Sequence, residues 1–264
     1  MADKKMNDFA KATDGAYIYA EAASGGQIKI SKADLANLIH SLAPWQKDGA
    51  FIMYHRKSDD FPLAVPYSSW PSLQNSGEIA DGVLIIRGDK HIVVAPTEAS
   101  LYWSKGTGAA TATTSDRLVA MSDWEGKSKT AAIVANAAFK DDGAGYAPGY
   151  CNAYSRTNAN GAGLTAGKWW LPSVAELVMM WSNFEIINEG LKLITGATLL
   201  QRTWYWSSTE LSASGAWPLY FSNGYLTGWG SKVSGQYQVR AVSGIIGESF
   251  NSLTLQLDTE QKNE

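Results

Sequence analysis

Apolar residues recur along this chain with two different periods, and the change of period marks its elements. "AYIYAEA" and "GQIKI" are short alternating runs around Ser24-Gly25-Gly26, which predicts two strands. Ser31 is a good N-cap for a helix that places Leu35, Leu38, Ile39 and Leu42 on one face, and Pro44 follows its end. This hairpin-plus-helix region has too little apolar surface to stand alone, so it is expected to dock or oligomerise. "GAFIMYH" reads as a strand, and Phe61 to Pro71 as a connection punctuated by Pro and Ser. Val83–Ile86 and His91–Val94 are β-branched runs flanking a Gly-Asp turn, the clearest hairpin of the first half. "GTGAATATTSD" is low in complexity and reads as a surface loop.

In the second half the spacing of three and four takes over. Ser128 opens a short Ala-rich helix through Ala138, and "DDGAGYAPGY" reads as loop. In "LPSVAELVMMW" a Ser173/Glu176 pair has the spacing of a capping box, which predicts a helix start. Phe184, Ile187, Leu191 and Ile194 share the face of a further helix, closed by Gly196. From Thr203 the period returns to two. Asn223-Gly224 between alternating apolar residues signals a type I′ hairpin, in which Ser222 faces Tyr225, Phe221 Leu226, Tyr220 Thr227, Leu219 Gly228 and Pro218 Trp229. One face then carries Trp217, Leu219, Phe221 and Leu226 as core. The other carries Pro218, Tyr220, Ser222, Tyr225, Thr227 and Trp229. No internal repeat is present, and "LTLQLDTEQKNE" ends in a solvated tail.

Composition sharpens this picture in one place. Tyr205 to Ser243 holds three charged residues, Glu210, Lys232 and Arg240, among many Trp, Tyr, Ser and Gly. Rigid rings among small adaptable polar residues are the chemistry of recognition loops, whereas a second protein layer over that face is the plainer alternative. Glu210 and Arg240 are expected to form a buried structural ion pair that pins the last strand.

The 264 residues carry a net charge of −3, which argues against a nucleic-acid footprint. No apolar run approaches a membrane span or a secretory signal, so the chain is expected to be made in a cytoplasm without leader or membrane insertion. Cys151 is the single cysteine; it is a nucleophile only on the less favoured reading, and a small semi-buried residue on the other. The adjacent Asp141-Asp142 reads as a solvated loop pair rather than an acid dyad. His40, His55 and His91 are dispersed and lack metal-ligand spacing. No nucleophile elbow, Walker loop or dinucleotide fingerprint occurs. The residues therefore call for no cofactor, metal or enzymatic activity.

"KWWLPSVAEL", "YWSSTE", "AWPLYFSNG" and "QVRAVS", with "GVLIIRGDKHIVVAPTEASLYWS" and "GYAPGYCNAYSRTNANGAGLTAGKWWLP" upstream, resemble in that order the C-terminal module of variable proteins targeted by diversity-generating retroelements. The resemblance covers about Asp81 to Ile246. It implies an α+β, C-type-lectin-like domain of formylglycine-generating-enzyme type, with mixed short strands, two or three helices and long loops. The implied division is 1–44 for attachment or oligomerisation, 45–80 as a connecting β segment, 81–246 as the ligand-binding domain and 247–264 as a tail. "ATDGAYIYAEAASGGQIKISKADLANLI" more loosely resembles the attachment end of bacteriophage tail proteins.

What the family implies is a display protein with a hypervariable surface. The positions expected to vary or bind are Leu211, Ser214, Gly215, Pro218, Tyr220, Ser222, Tyr225, Thr227, Gly228, Gly230 and Val233, with Trp229 as a fixed aromatic of the site or a structural residue. A phage receptor-binding tail-fibre protein is implied, carried on the virion and binding a bacterial surface protein or glycan. It would be a homo-oligomer, a trimer by preference, joined to other tail components. A bacterial adhesin of the same fold, an enzyme acting on glycan or cell wall, and a purely structural virion or pilus subunit with that face buried against a neighbour are the alternatives. The Gln-Pro-Asp and Glu-Pro-Asn tripeptides of calcium-dependent lectins are missing, and the paired cysteines of the oxidase relatives are reduced to one.

Overall fold

The computed structural model describes residues 17–21, 27–31, 48–136 and 144–244. The expected helix after Ser31, His40, Asp141-Asp142 and the C-terminal tail lie outside the described residues. The chain divides into two compact units after Gln46. In the first, β1 (Tyr17–Glu21) and β2 (Gln27–Ser31) pair antiparallel in the register Tyr17↔Ser31 to Glu21↔Gln27.

The second unit is built on one long, nearly all-antiparallel sheet. Its strands are β3 (Gly49–His55), β4 (Pro62–Val65), β5 (Ala80–Arg87), β6 (Lys90–Tyr102), β9 (Trp204–Glu210), β10 (Gly215–Tyr220), β11 (Tyr225–Leu226), β12 (Gly230–Ser231) and β13 (Gln236–Ser243). They run in the order β11-β10-β9-β13-β6-β5-β3-β4, with β12 also on β10, and β13 meets β9 in parallel. A small pair, β7 (Arg156–Thr157) and β8 (Gly163–Leu164), stands apart from this sheet. The helices are α1 (Trp70–Asn75), α2 (Arg117–Met121), α3 (Gly126–Ala135), α4 (Ala147–Ala153), α5 (Val174–Ser182) and α6 (Phe184–Leu193). The unit is α+β, an arrangement compatible with the lectin-like fold that the resemblance implies.

Local rules account for most of these elements. Arg87 pairs with Lys90 across the two-residue turn Gly88-Asp89, where Gly88 takes φ +56°. The segment 45–80, expected as a connecting β segment, supplies the expected strand β3 to the main sheet, and also β4, where Phe61 to Pro71 was expected as a connection. Pro62 is tolerated because it opens β4, the edge strand, where a missing N–H costs no ladder bond. Residues 147–150, expected in a loop, form the first part of α4. Pro148 in its first turn is already set for helical φ and lacks an N–H that would go unused there.

The Ala-rich helix starts at Gly126 rather than Ser128. Gly126 sits against the Glu176 carboxylate, where a Cβ would come within 2.1 Å of Oε2. Helices α5 and α6 press Leu177, Met180, Ile187 and Leu191 onto Ile52, Val83, Ile85 and Val94, and the result is a single core.

The capping box at α5 forms as expected, with Glu176 Oε2 accepting from Ser173 N at 2.7 Å. Glu176 is nonetheless buried, and desolvation pushes its carboxyl from 4.5 up to about 7, against the pull of the Ser173 and Trp170 donors. The folded chain therefore holds this proton more tightly than the unfolded one. The associated stability is complete below about pH 4.5 and is lost as pH rises through about 7. At about 1.4 kcal/mol per pH unit, the total is on the order of 3 kcal/mol. Glu176→Gln is expected to flatten the dependence of the urea midpoint on pH between 5 and 8. An unchanged slope would exclude Glu176 as its source.

Candidate ligand-binding face

The hairpin after β9 differs in register from the expected one. Tyr220 pairs with Tyr225 and Leu219 with Leu226, so the loop is Phe221–Gly224, four residues rather than two. Only Gly224 takes positive φ, +74°, and the N–H groups of both Asn223 and Gly224 point at Tyr220 O. The type I′ turn gives way because Phe221 is drawn into the core. There it stacks on Tyr205 at 4.2 Å and donates its N–H to Thr203 O. The slip is by two residues, so every side chain keeps its face. Trp217, Leu219, Phe221 and Leu226 are all buried, as the alternation predicts.

On the other face the rings stack rather than lie flat. Trp204 meets Tyr220 at 4.8 Å with 30° between the planes and Tyr237 at 5.9 Å with 34°, and Tyr237 continues to Trp206 at 4.5 Å, tilted by 46°. Tyr225 stands edge-on to Trp204 at 6.1 Å and is 50% exposed. Trp229, at 89%, is almost wholly free. Its backbone is nevertheless held, since its N–H donates to Thr227 Oγ1 and Gly230 pairs with Ala216. Gly224 allows the α5 residue Trp181 to pack under the turn, where a Cβ would come within 2.5 Å of that ring. Rigid rings on a fixed backbone lose little entropy on binding.

The expected site residues divide between surface and interior. Ser214, Ser222, Tyr225, Trp229 and Val233 are exposed, and Leu211, Tyr220 and Gly228 are half-buried. Gly215, Pro218, Thr227 and Gly230 are buried. Pro218 and Thr227 were expected outside from strand alternation, which ignores what crosses the strand, and Gly215 and Gly230 from the family resemblance alone. Here the Trp206 ring fills the outer side of β10 and β12, and a Cβ on Gly230 would lie 2.6 Å from it. Trp204 and Tyr237 complete the stack and were not among the expected residues. Trp204 was legible from its spacing of two to Trp206 on the same strand face.

The expected pair of Glu210 with Arg240 does not form. Glu210 Oε1 meets Lys232 Nζ at 2.5 Å, both side chains fully buried, and Arg240 is bonded to Glu98 at 2.7 Å. Arg240 was the expected partner because it and Glu210 are nearly the only charges of this region, but β6 lies beside β13 and brings Glu98 across to Arg240. The segment expected as a surface loop wraps the Glu210 carboxylate, which accepts from Ala110 N, Thr111 N and Thr111 Oγ1. Gly108 N donates to Ala213 O, so this strap also braces the β9–β10 connection.

Candidate chemistry elsewhere is sparse. Cys151 is fully buried and burial pushes its thiol well up, which makes it a poor nucleophile. His55 Nδ1 and Asp81 Oδ2 lie 2.6 Å apart inside the sheet and join β3 to β5. His91 is exposed at the start of β6. Among the described residues, no three His, Cys, Asp or Glu side chains converge as a metal site. No described helix is long and apolar enough to cross a membrane.

No protein-family model matches the chain, and no curated protein matches it in sequence. A solved structure of a fimbrial protein from Bacteroides ovatus is similar to it with a TM-score of 0.41 and 18% identity. The match covers 59% of this chain and 36% of that one, so the chain spans about a third of the fimbrial protein's length.

Proposed function

We propose that the second unit is a non-enzymatic recognition domain that binds a molecule of a bacterial surface through Tyr225, Trp229 and the ring stack behind them. The observation that carries this reading is Trp229, 89% exposed on a backbone that Gly230 and Thr227 hold in place. An exposed indole held on a fixed backbone beside Tyr225 is a ready contact residue, and Trp and Tyr are among the residues most enriched as anchors of interfaces. The family resemblance supports the same segment as a displayed, diversified surface. On that reading the chain is a receptor-binding component of a phage tail fibre, acting in several copies whose avidity multiplies a weak single contact.

The test uses the fluorescently labelled full chain on a panel of bacterial strains, scored by flow cytometry. Tyr225→Ala and Trp229→Ala are each expected to lower cell association at least about 10-fold, the effect of losing an anchor residue. Their unfolding midpoints should match wild type, since neither ring is buried. A wild-type chain that labels no strain, or alanine variants that bind as wild type does, would exclude this function.

A further inference from the structure

The ring stack is not the whole exposed apolar surface. Helix α2 is only five residues long, yet Leu118 is 76%, Val119 53% and Met121 43% exposed. It adjoins the hairpin, because the Arg117 guanidinium lies 6.0 Å from the Tyr225 ring centroid. Asp116, the nearest carboxylate in sequence, accepts from Leu118 N and Val119 N as the helix N-cap. Arg117 is exposed and makes no ion pair among the described residues. An unpaired cation thus stands at the junction of two apolar patches.

We infer that α2 is a second arm of the recognition face and that its occupant is a protein surface carrying a carboxylate between apolar side chains. This inference rests on the proposed function and narrows its ligand. Two observations favour a protein over a glycan, and a third names the charged group that the ligand carries. A sugar ring stacks on open aromatic faces, but Trp204 and Tyr220 spend theirs on each other and Arg117 stands over Tyr225, which leaves Trp229 as the open ring of the hairpin. Leu, Val and Met side chains offer nothing to hydroxyl groups, whereas Met, Tyr, Trp and Arg without Lys or Glu is the composition of protein interface cores. The forked, unpaired guanidinium is complementary to a carboxylate, which it can grip through two parallel hydrogen bonds. Arg117, Leu118 and Met121 also lie outside the segment from Glu210 to Val239, so this arm stays constant however the hairpin varies.

The test takes strains that the wild-type chain labels and compares three treatments: none, proteinase K shaving and periodate oxidation of surface glycans. Leu118→Ser/Met121→Ser and Arg117→Glu are each expected to reduce labelling about 10-fold, and Arg117→Lys about 3-fold because the fork is lost. Shaving should abolish labelling and periodate should spare it. The substituted side chains are exposed, so equal unfolding midpoints establish that folding is intact. Periodate-sensitive, protease-resistant labelling would overturn the protein ligand and leave the recognition function standing. So would α2 variants that bind as wild type while Trp229→Ala does not. A concentration-dependent dimer of the wild-type chain in light scattering, lost in Leu118→Ser/Met121→Ser, would assign α2 to a second copy and overturn the inference. Labelling unaffected by hairpin and α2 variants alike would overturn the proposed function itself.

Discussion

Replacing Lys232 with Met is expected to lower the folding stability of the second unit by about 3–5 kcal/mol, the range for a buried ion pair deprived of one partner. Neither charge of the Glu210–Lys232 pair has any contact with water. The ammonium also donates to Gly108 O at 2.7 Å and lies 4.4 Å over the Trp103 ring, so its removal strips three contacts at once. Burial pushes Lys232 below its ordinary pKa while Glu210 pulls it back, as expected when desolvation opposes pairing. Ala110 N, Thr111 N and Thr111 Oγ1 would still hold the Glu210 carboxylate, which sets the lower end of the range. Urea unfolding measures the loss. A change below about 1 kcal/mol would mean that the pair is not closed. Glu210→Gln/Lys232→Met should be less damaged than Lys232→Met alone, because no charge is left stranded. Amide exchange at Ala110 and Thr111 should rise before that of the sheet, since the strap is tied to this pair.

Gly230→Asn is the second large effect, expected at about 3 kcal/mol, at the upper end for overpacking a filled site. Its Cβ would lie 2.5 Å from Ala216 O, 2.6 Å from Trp206 and 2.8 Å from Pro218. Trp206 cannot swing clear, since it is fully buried and its indole N–H is bonded to Leu101 O at 3.1 Å. Gly228→Asn provides the contrast: its nearest neighbours are the methyl ends of Leu211 at 3.3 and 3.4 Å, which can turn aside. That substitution should stay within about 1 kcal/mol of wild type. Thermal unfolding of the two variants side by side decides the matter, and equal losses would refute the packing argument. If the segment is diversified in nature, codon 228 can vary freely and codon 230 cannot.

The two glycines were indistinguishable from the chain alone. Both lie in one uncharged stretch, and only the ring that Trp206 lays over β12 separates them. Arg240 was chosen as partner of Glu210 for similar reasons: charge is visible in sequence, but pairing across a sheet depends on strand order. The α2 arm carried one local signal, the Asp116 N-cap, and five residues are too few to show a helical period.

The sequence by itself determined what short-range chemistry decides. Alternation sorted Trp217, Leu219, Phe221 and Leu226 from Tyr225 and Trp229, and Ser173 with Glu176 marked the start of α5. These follow from backbone geometry within a few residues, and a register slip of two left them intact. Only the tertiary structure decided the partners of Glu210 and Arg240, the burial of Gly230 and Pro218, and the nearness of Arg117 to Tyr225. Each of those joins segments from about 12 to 142 residues apart, and such pairings are settled by which strands and side chains the closed core brings together.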